Sequence, residues 1–251
     1  MLKGKTAVVT GVSRGIGRAV VKLFAENGAK IWACARTKSD EFEDRLRKWS
    51  EEYSTEIFPI YFDVTDDAAV KESIRKIGKE SGRIDILVNN AGVSVERLFG
   101  MTSLDFIRKS MDVNYLAQVY LAQLVSRYMM KQKSGSIVNV ASVAGTVNEE
   151  GGLAYGSSKA AVIFSSRTMA LELGGYGIRV NSVSPGFIDT DMWKNRKPEI
   201  MKKVLSETPL HRQGTPEETA KVILFLASDM SSYMTGQNLV VDGGRHIHGG
   251  G

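Results

Sequence analysis

A phenol and an ammonium group share one face of a helix when they stand four residues apart. Tyr155 and Lys159 do so in Tyr155-Gly156-Ser157-Ser158-Lys159. A phenol left to itself ionises near pH ~10, too high for ready proton transfer at neutral pH. A neighbouring cation favours the phenolate, so the pair predicts a tyrosine able to give or take a proton. Ser142 closes a predicted strand in Asn139-Val140-Ala141-Ser142, where its hydroxyl could hold a carbonyl oxygen as negative charge builds on it. Asn114 falls inside a long helical stretch, where a buried amide has to find partners through a water chain or a helix irregularity. Each of these residues alone would read as core or solvated surface. Together they predict acid–base work on a carbonyl.

A second cluster is shaped for an anion. In Thr10-Gly11-Val12-Ser13-Arg14-Gly15-Ile16-Gly17 an apolar run turns into a helix. Gly11 permits a sharp turn, while Gly15 and Gly17 remove side chains so that backbone N–H groups and a helix start can approach a pyrophosphate. The glycine spacing is not the commoner G-x-G-x-x-G, so the strand–turn–helix context carries the reading. The next strand selects the dinucleotide. An acid roughly 20 residues past the glycines would bind a ribose 2′-hydroxyl, yet the stretch from Ile31 holds no acid before Asp40. Arg36 would instead pair with a 2′-phosphate, bidentately through its planar guanidinium, and Arg14 would cover the adenine and the same phosphate. The cofactor expected is NADP(H).

These groups need a frame that gathers distant segments. Apolar, β-branched runs predict strands at Thr6–Thr10, Ile31–Ala35, Glu56–Phe62, Ile84–Asn89, Ser136–Ala141, Arg179–Val183 and Leu239–Val241. Helical periodicity covers Ile16–Asn27, Glu41–Tyr53, Ala68–Ser81, Ser103–Lys131, Leu153–Gly174 and Pro216–Ser228. Such alternation predicts an α/β fold, a single-domain Rossmann-type doubly wound parallel sheet with helices on both faces, spanning residues 1–251. Phe187–Gln213 carries no strand and many charges, and is expected to form a lid over a substrate. The terminal His246-Ile247-His248 lacks further ligands, and no metal site is expected.

Composition narrows the class. The 251 residues are 43% hydrophobic and 24% charged, enough for a sizeable core. The net charge of +5 is spread among acids, with no basic stripe or zinc-finger spacing, so anionic small ligands rather than nucleic acid are expected. No apolar run is long enough to span a membrane, and the apolar stretch near the N-terminus is too short for a signal peptide. One cysteine, Cys34, excludes an internal disulfide and suits a reducing compartment, so a cytoplasmic protein is expected.

Taken jointly, the glycine turn, Asp63-Val64, Asn89-Asn90-Ala91-Gly92, Asn114, Ser142, Tyr155 with Lys159, Ser184-Pro185-Gly186 and Val241-Asp242-Gly243-Gly244 resemble the short-chain dehydrogenases/reductases over nearly the whole chain. The resemblance implies that Tyr155 donates a proton to a substrate oxygen held by Ser142. It implies too that Lys159 lowers the tyrosine pKa and binds the nicotinamide ribose, and that Asn114 keeps a water linking the lysine to solvent. Gly11, Ser13, Arg14, Gly15, Ile16 and Gly17 would line the dinucleotide, as would Arg36, Thr37, Asp63 and Val64. So would Asn90, Ala91, Gly92, Pro185, Gly186, Ile188 and Thr190. A non-catalytic dinucleotide sensor would show an eroded catalytic set, and here all four residues are present.

Within that family the chain is most similar to 3-oxoacyl-(acyl-carrier-protein) reductases, which implies an acyl carrier protein as partner. Lys133 stands where that group carries a basic residue, whereas Tyr176 replaces a frequent arginine. Lys194, Arg196, Lys197, Lys202 and Lys203 in the predicted lid could meet an anionic substrate or simply coat a solvated helix. The substrate stays open between a carrier-linked 3-oxoacyl chain, a small ketone or ketoester, and a sugar-derived or polyol ketone. The family also implies a homotetramer paired through the helices Ser103–Lys131 and Leu153–Gly174 and the last strand.

Overall fold

The computed structural model describes residues 1–94, 96–191 and 198–245. Seven strands form one sheet: β1 (Thr6–Thr10), β2 (Lys30–Ala35), β3 (Ile57–Tyr61), β4 (Ile86–Asn89), β5 (Gly135–Val140), β6 (Ile178–Pro185) and β7 (Asn238–Val241). Their order is β3-β2-β1-β4-β5-β6-β7, and every neighbouring pair is parallel. The doubly wound sheet read from the sequence is therefore the fold. All of β1 and β4 is buried, as strands covered on both faces must be. Pro59 cannot donate to a ladder, and it sits in the edge strand β3, where none is required.

Two helical layers cover the sheet. On one face α1 (Gly15–Glu26), α2 (Asp40–Glu52) and α8 (Pro216–Ala227) bury Val20, Phe24, Leu46 and Ile223. On the other, α3 (Asp67–Ser81), α5 (Ala117–Gln132) and α6 (Leu153–Leu173) pack Ile74, Ile77, Leu121, Val125 and Ala170 against Trp32 and Val180. Helix starts follow their capping residues. Ser39 accepts the Phe42 N–H, Asp66 accepts the Ala69 N–H, and Thr215 with Glu218 forms a reciprocal box ahead of α8. Helix α1, entered through Arg14, has no side-chain cap and no acid in its first turn, and the same holds for α6 after Gly152.

One expectation changes. The predicted helix Ser103–Lys131 is α4 (Leu104–Met111), a π turn over Asp112–Leu116, and then α5. Among the described residues, the predicted lid holds α7 (Pro198–Glu207), and Ile188 at its start makes an isolated bridge to Gly214 just beyond its end. Lys194, Arg196 and Lys197 lie outside the described residues, as does the His246-Ile247-His248 tail. Among the described residues, no helix is long and apolar enough to cross a membrane.

One buried charge ties the sheet's lower edge. Asp85, 4% exposed, accepts the Thr6 N–H at 2.8 Å and the Arg83 Nε–H at 2.9 Å.

Candidate active site

The strand order reverses between β1 and β4, and the crevice lies where their carboxyl ends part. Thr10 closes that junction. Its Oγ1 accepts the N–H groups of Asn90 and Ala91, both at 3.0 Å. Asn90 returns the bond, donating its Nδ2 to the carbonyls of Thr10 and Gly11 at 3.0 Å each. This leaves no space for side chains beside them. A Cβ on Gly11, whose φ is +69°, would come 2.8 Å from Ala91 Cα, and one on Gly17 would strike the Gly11 carbonyl. The two motifs thus form one surface, with the uncapped start of α1 opening beside it.

The glycine turn supplies what an anion needs. The first N–H groups of a helix lack intrahelical partners and carry partial positive charge. Ser13 and Arg14 are exposed, and Gly15, at φ +55°, holds the turn in a conformation few side chains adopt. Arg36 and Thr37 are exposed beyond β2, with Arg36 close enough to Asp63 to lower its pKa. The larger causes there are the N–H and hydroxyl of Thr65, 2.9 and 2.7 Å from Oδ1, which hold Asp63 below the usual carboxylate range. Val64 and Ile16 are half-buried on either side. From the far side come Pro185, Gly186, Ile188 and Thr190; a Cβ on Gly15 would touch the Thr190 methyl at 3.3 Å. These residues fit a dinucleotide: an uncapped helix start, a glycine cradle and two exposed guanidinium groups along one sheet edge.

The second half of the site grows from the end of β5. Ser142 is extended and caps the turn Val143–Gly145 by accepting the Ala144 N–H at 3.2 Å. Two glycines let that turn press on α6. A Cβ on Gly156 would meet the Ala144 carbonyl at 2.7 Å, and one on Gly145 would meet the Lys159 main chain at 2.7 Å. The contact brings the Ser142 hydroxyl close enough to Tyr155 to act on the pKa of its phenol. Lys159 is 3% exposed; its Nζ donates to the Val140 carbonyl at 2.8 Å and lies 5.8 Å from the centre of the Tyr155 ring.

Burial dominates the electrostatics of both groups. Burial brings the Lys159 ammonium down to about 8. Burial pushes the Tyr155 phenol up, the Ser142 hydroxyl pulls it partly back, and the carboxylates of Glu96 and Glu149 raise it further. Tyr155 therefore carries its proton at neutral pH.

Asn114 lies in the π turn, fully buried. Its Oδ1 accepts the Val93 N–H at 2.8 Å, and its Nδ2 donates to the Val93 carbonyl at 2.9 Å and to Ser158 Oγ at 3.0 Å. The amide thus pins Val93, in the loop after β4, to the second turn of α6. π turns recur at functional sites because one shifted residue re-aims side chains without ending a helix.

Gly11, Asn90, Ser142 and Pro185 follow or close the carboxyl ends of their strands, with Asn114, Tyr155 and Lys159 on the helices beside them, whereas Lys133 and Tyr176 precede β5 and β6 at the opposite end of the sheet. Sequence reasoning passed over Thr10, Glu96, Glu149 and Arg245. Only Thr10 left a signal, a polar residue ending a buried strand.

A family model described as enoyl-(acyl carrier protein) reductase matches residues 11–246. A solved short-chain type dehydrogenase/reductase from Mycobacterium ulcerans superposes with a TM-score of 0.93 at 28% identity, covering 98% of this chain and 91% of that one. The 3-oxoacyl-(acyl-carrier-protein) reductase of Thermotoga maritima is 44% identical, over 97% of this chain and 98% of the relative. The chain belongs to the short-chain dehydrogenase/reductase family. As a short-chain dehydrogenase/reductase it is an oxidoreductase acting on CH–OH and C=O groups with a nicotinamide dinucleotide. The family relatives are not uniform in substrate: a 3alpha-hydroxysteroid dehydrogenase of Mediterraneibacter gnavus is 39% identical over 97% of both chains.

Proposed function

We propose that this protein is an NADPH-dependent reductase of ketone carbonyls, of the 3-oxoacyl-(acyl-carrier-protein) reductase kind. The observation that carries the chemistry is the close packing of the Ser142 turn on α6, which sets Ser142, Tyr155 and the buried Lys159 together, with Lys159 Nζ 5.8 Å from the centre of the Tyr155 ring. Bound NADPH supplies the hydride. Ser142 holds the carbonyl oxygen, and Tyr155 delivers a proton to it as charge develops. A phenol raised by burial is fully protonated at neutral pH, the form that reduction consumes. Lys159, near 8, can pass a proton on to the phenol and reach the nicotinamide ribose. Asn114 has its amide committed to Val93 and Ser158, so any water it keeps for that relay rests on its main-chain carbonyl.

Arg36 and Arg14, with no acid closing β2, support NADPH over NADH. The 44% identical relative supports the carrier-linked substrate. Tyr176, exposed where a basic residue would help grip an acidic carrier, favours the second reading, a general carbonyl or polyol reductase. Exposed Leu116, Phe164 and Leu171 beside α5 and α6, with Val240 on β7, support a homotetramer. The lone, buried Cys34 suits a cytoplasmic setting. NADPH oxidation measured side by side with 3-oxoacyl carrier protein, free 3-oxo esters and sugar-derived ketones tests the whole reading. Tight NADPH binding with silence on every class would assign a sensor instead.

A further inference from the structure

Three charged residues outside the set that handles the carbonyl meet one another: Arg245, Glu149 and Glu207. Arg245, just past β7, has a side chain only 22% exposed; its Nη1 lies 3.1 Å from Glu149 Oε1 and its Nη2 3.5 Å from Glu207 Oε2. Glu149 belongs to the loop between the Ser142 turn and Tyr155, and Glu207 is the last residue of α7. One guanidinium therefore joins three segments that are far apart in sequence. The backbone around it agrees. Leu210 donates its N–H to the Gly243 carbonyl at 3.2 Å, and a Cβ on Gly243 would sit 2.8 Å from the Thr208 methyl. The end of α7 is seated on residues 242–245.

Glu149 also bears on the phenol. The groups that face Tyr155 are the Ser142 hydroxyl, the Lys159 ammonium behind the ring, and the carboxylates of Glu96 and Glu149. Arg245 stands directly against the last of these. An isolated ion pair in full solvent contributes little, but a mostly covered guanidinium between two carboxylates is less screened and holds a loop in place as well.

We propose that Arg245 is a positioning residue that fastens the loop before Tyr155 to the end of the lid helix α7 and shields the phenol from Glu149. The shielding rests on the role proposed for Tyr155; the fastening does not.

The test compares Arg245→Met, Arg245→Lys, Glu149→Gln and the double variant Glu149→Gln/Arg245→Met, all as full-length protein. Limited trypsin digestion, without substrate, follows cleavage after Lys202 and Lys203 in α7. Arg245→Met should be cut about 5-fold faster than wild type, and Arg245→Lys close to wild type, because local opening sets the rate. The phenol of residue 155 is read by ultraviolet difference titration of each protein against its own Tyr155→Phe partner. Arg245→Met should raise the midpoint by about 0.5, and Glu149→Gln should lower it by a similar amount. The double variant should match Glu149→Gln alone. Equal cleavage of Arg245→Met and wild type overturns the fastening. A midpoint shift from Arg245→Met that persists in the Glu149→Gln background overturns the shielding. Neither readout needs a ketone, so a failure of the proposed reductase activity would show only in the substrate panel.

Discussion

Replacing Lys159 by Met should make the protein more stable while stopping its chemistry. The ammonium is 3% exposed, and burial lowers its pKa from 10.5 to about 8. That gap corresponds to about 3 kcal/mol charged against folding at neutral pH. Methionine has a similar unbranched stem and no charge to desolvate. It loses the bond to the Val140 carbonyl, 2.8 Å long, and leaves a buried acceptor short of a partner at a cost of about 1–2 kcal/mol. The net expected gain is about 1–2 kcal/mol, or roughly 3–6 °C in Tm for a domain of this size. The sign with pH follows from the lowered pKa. Wild type bears the full cost below about 8 and loses it as the pH climbs towards 10.5. The advantage of the variant should therefore shrink over that window. Thermal melts of both proteins without cofactor, from pH ~7 to ~10, check this. A variant that melts lower than wild type at neutral pH, or a difference indifferent to pH, refutes the buried-charge reasoning.

Tyr155→Phe should lose roughly 10²–10⁴-fold in ketone reduction, the contribution of a positioned proton donor, with NADPH binding by fluorescence unchanged; full activity would remove Tyr155 from the chemistry. Arg36→Asp should shift the NADPH/NADH ratio of kcat/KM towards NADH by about 10²-fold, the worth of a charge-assisted bond turned into repulsion; steady-state kinetics with both cofactors measures it. Asp85→Ala should cost about 2–3 kcal/mol in urea unfolding. Most of that comes from the buried Thr6 N–H left unpaired, because Arg83, 49% exposed, keeps its solvent.

The sheet was legible because each strand announces itself locally. Continuous apolar runs such as Thr6-Ala7-Val8-Val9 bury on both faces whatever the remainder of the chain does. The assembly of Ser142, Tyr155 and Lys159 was legible for a related reason: a strand end and one helical turn fix their positions. What depends on contacts between distant segments was not. Asn114 signalled an irregularity, but the π turn follows from its bonds to Val93 and Ser158, which no period of apolar residues encodes. The phenol's upward shift reflects burial under the folded chain and two carboxylates, one on a loop far from it in sequence. Nothing in the residues around Arg245 points to Glu149 or Glu207, which only the fold sets on either side of its guanidinium.

The sheet order has a bearing on how such a protein can diversify. Arg14, Arg36 and Asp63 hang from β1, β2 and β3 on one flank of the crossing point, whereas Ser142, Tyr155 and Lys159 hang from β5 and α6 on the other. Changes at well-separated positions act nearly independently. The choice of dinucleotide and the choice of molecule to be reduced can thus drift apart in evolution, each flank accepting substitutions the other never registers. Grafting the segment from β2 to the start of α2 between relatives should carry over the coenzyme habit alone.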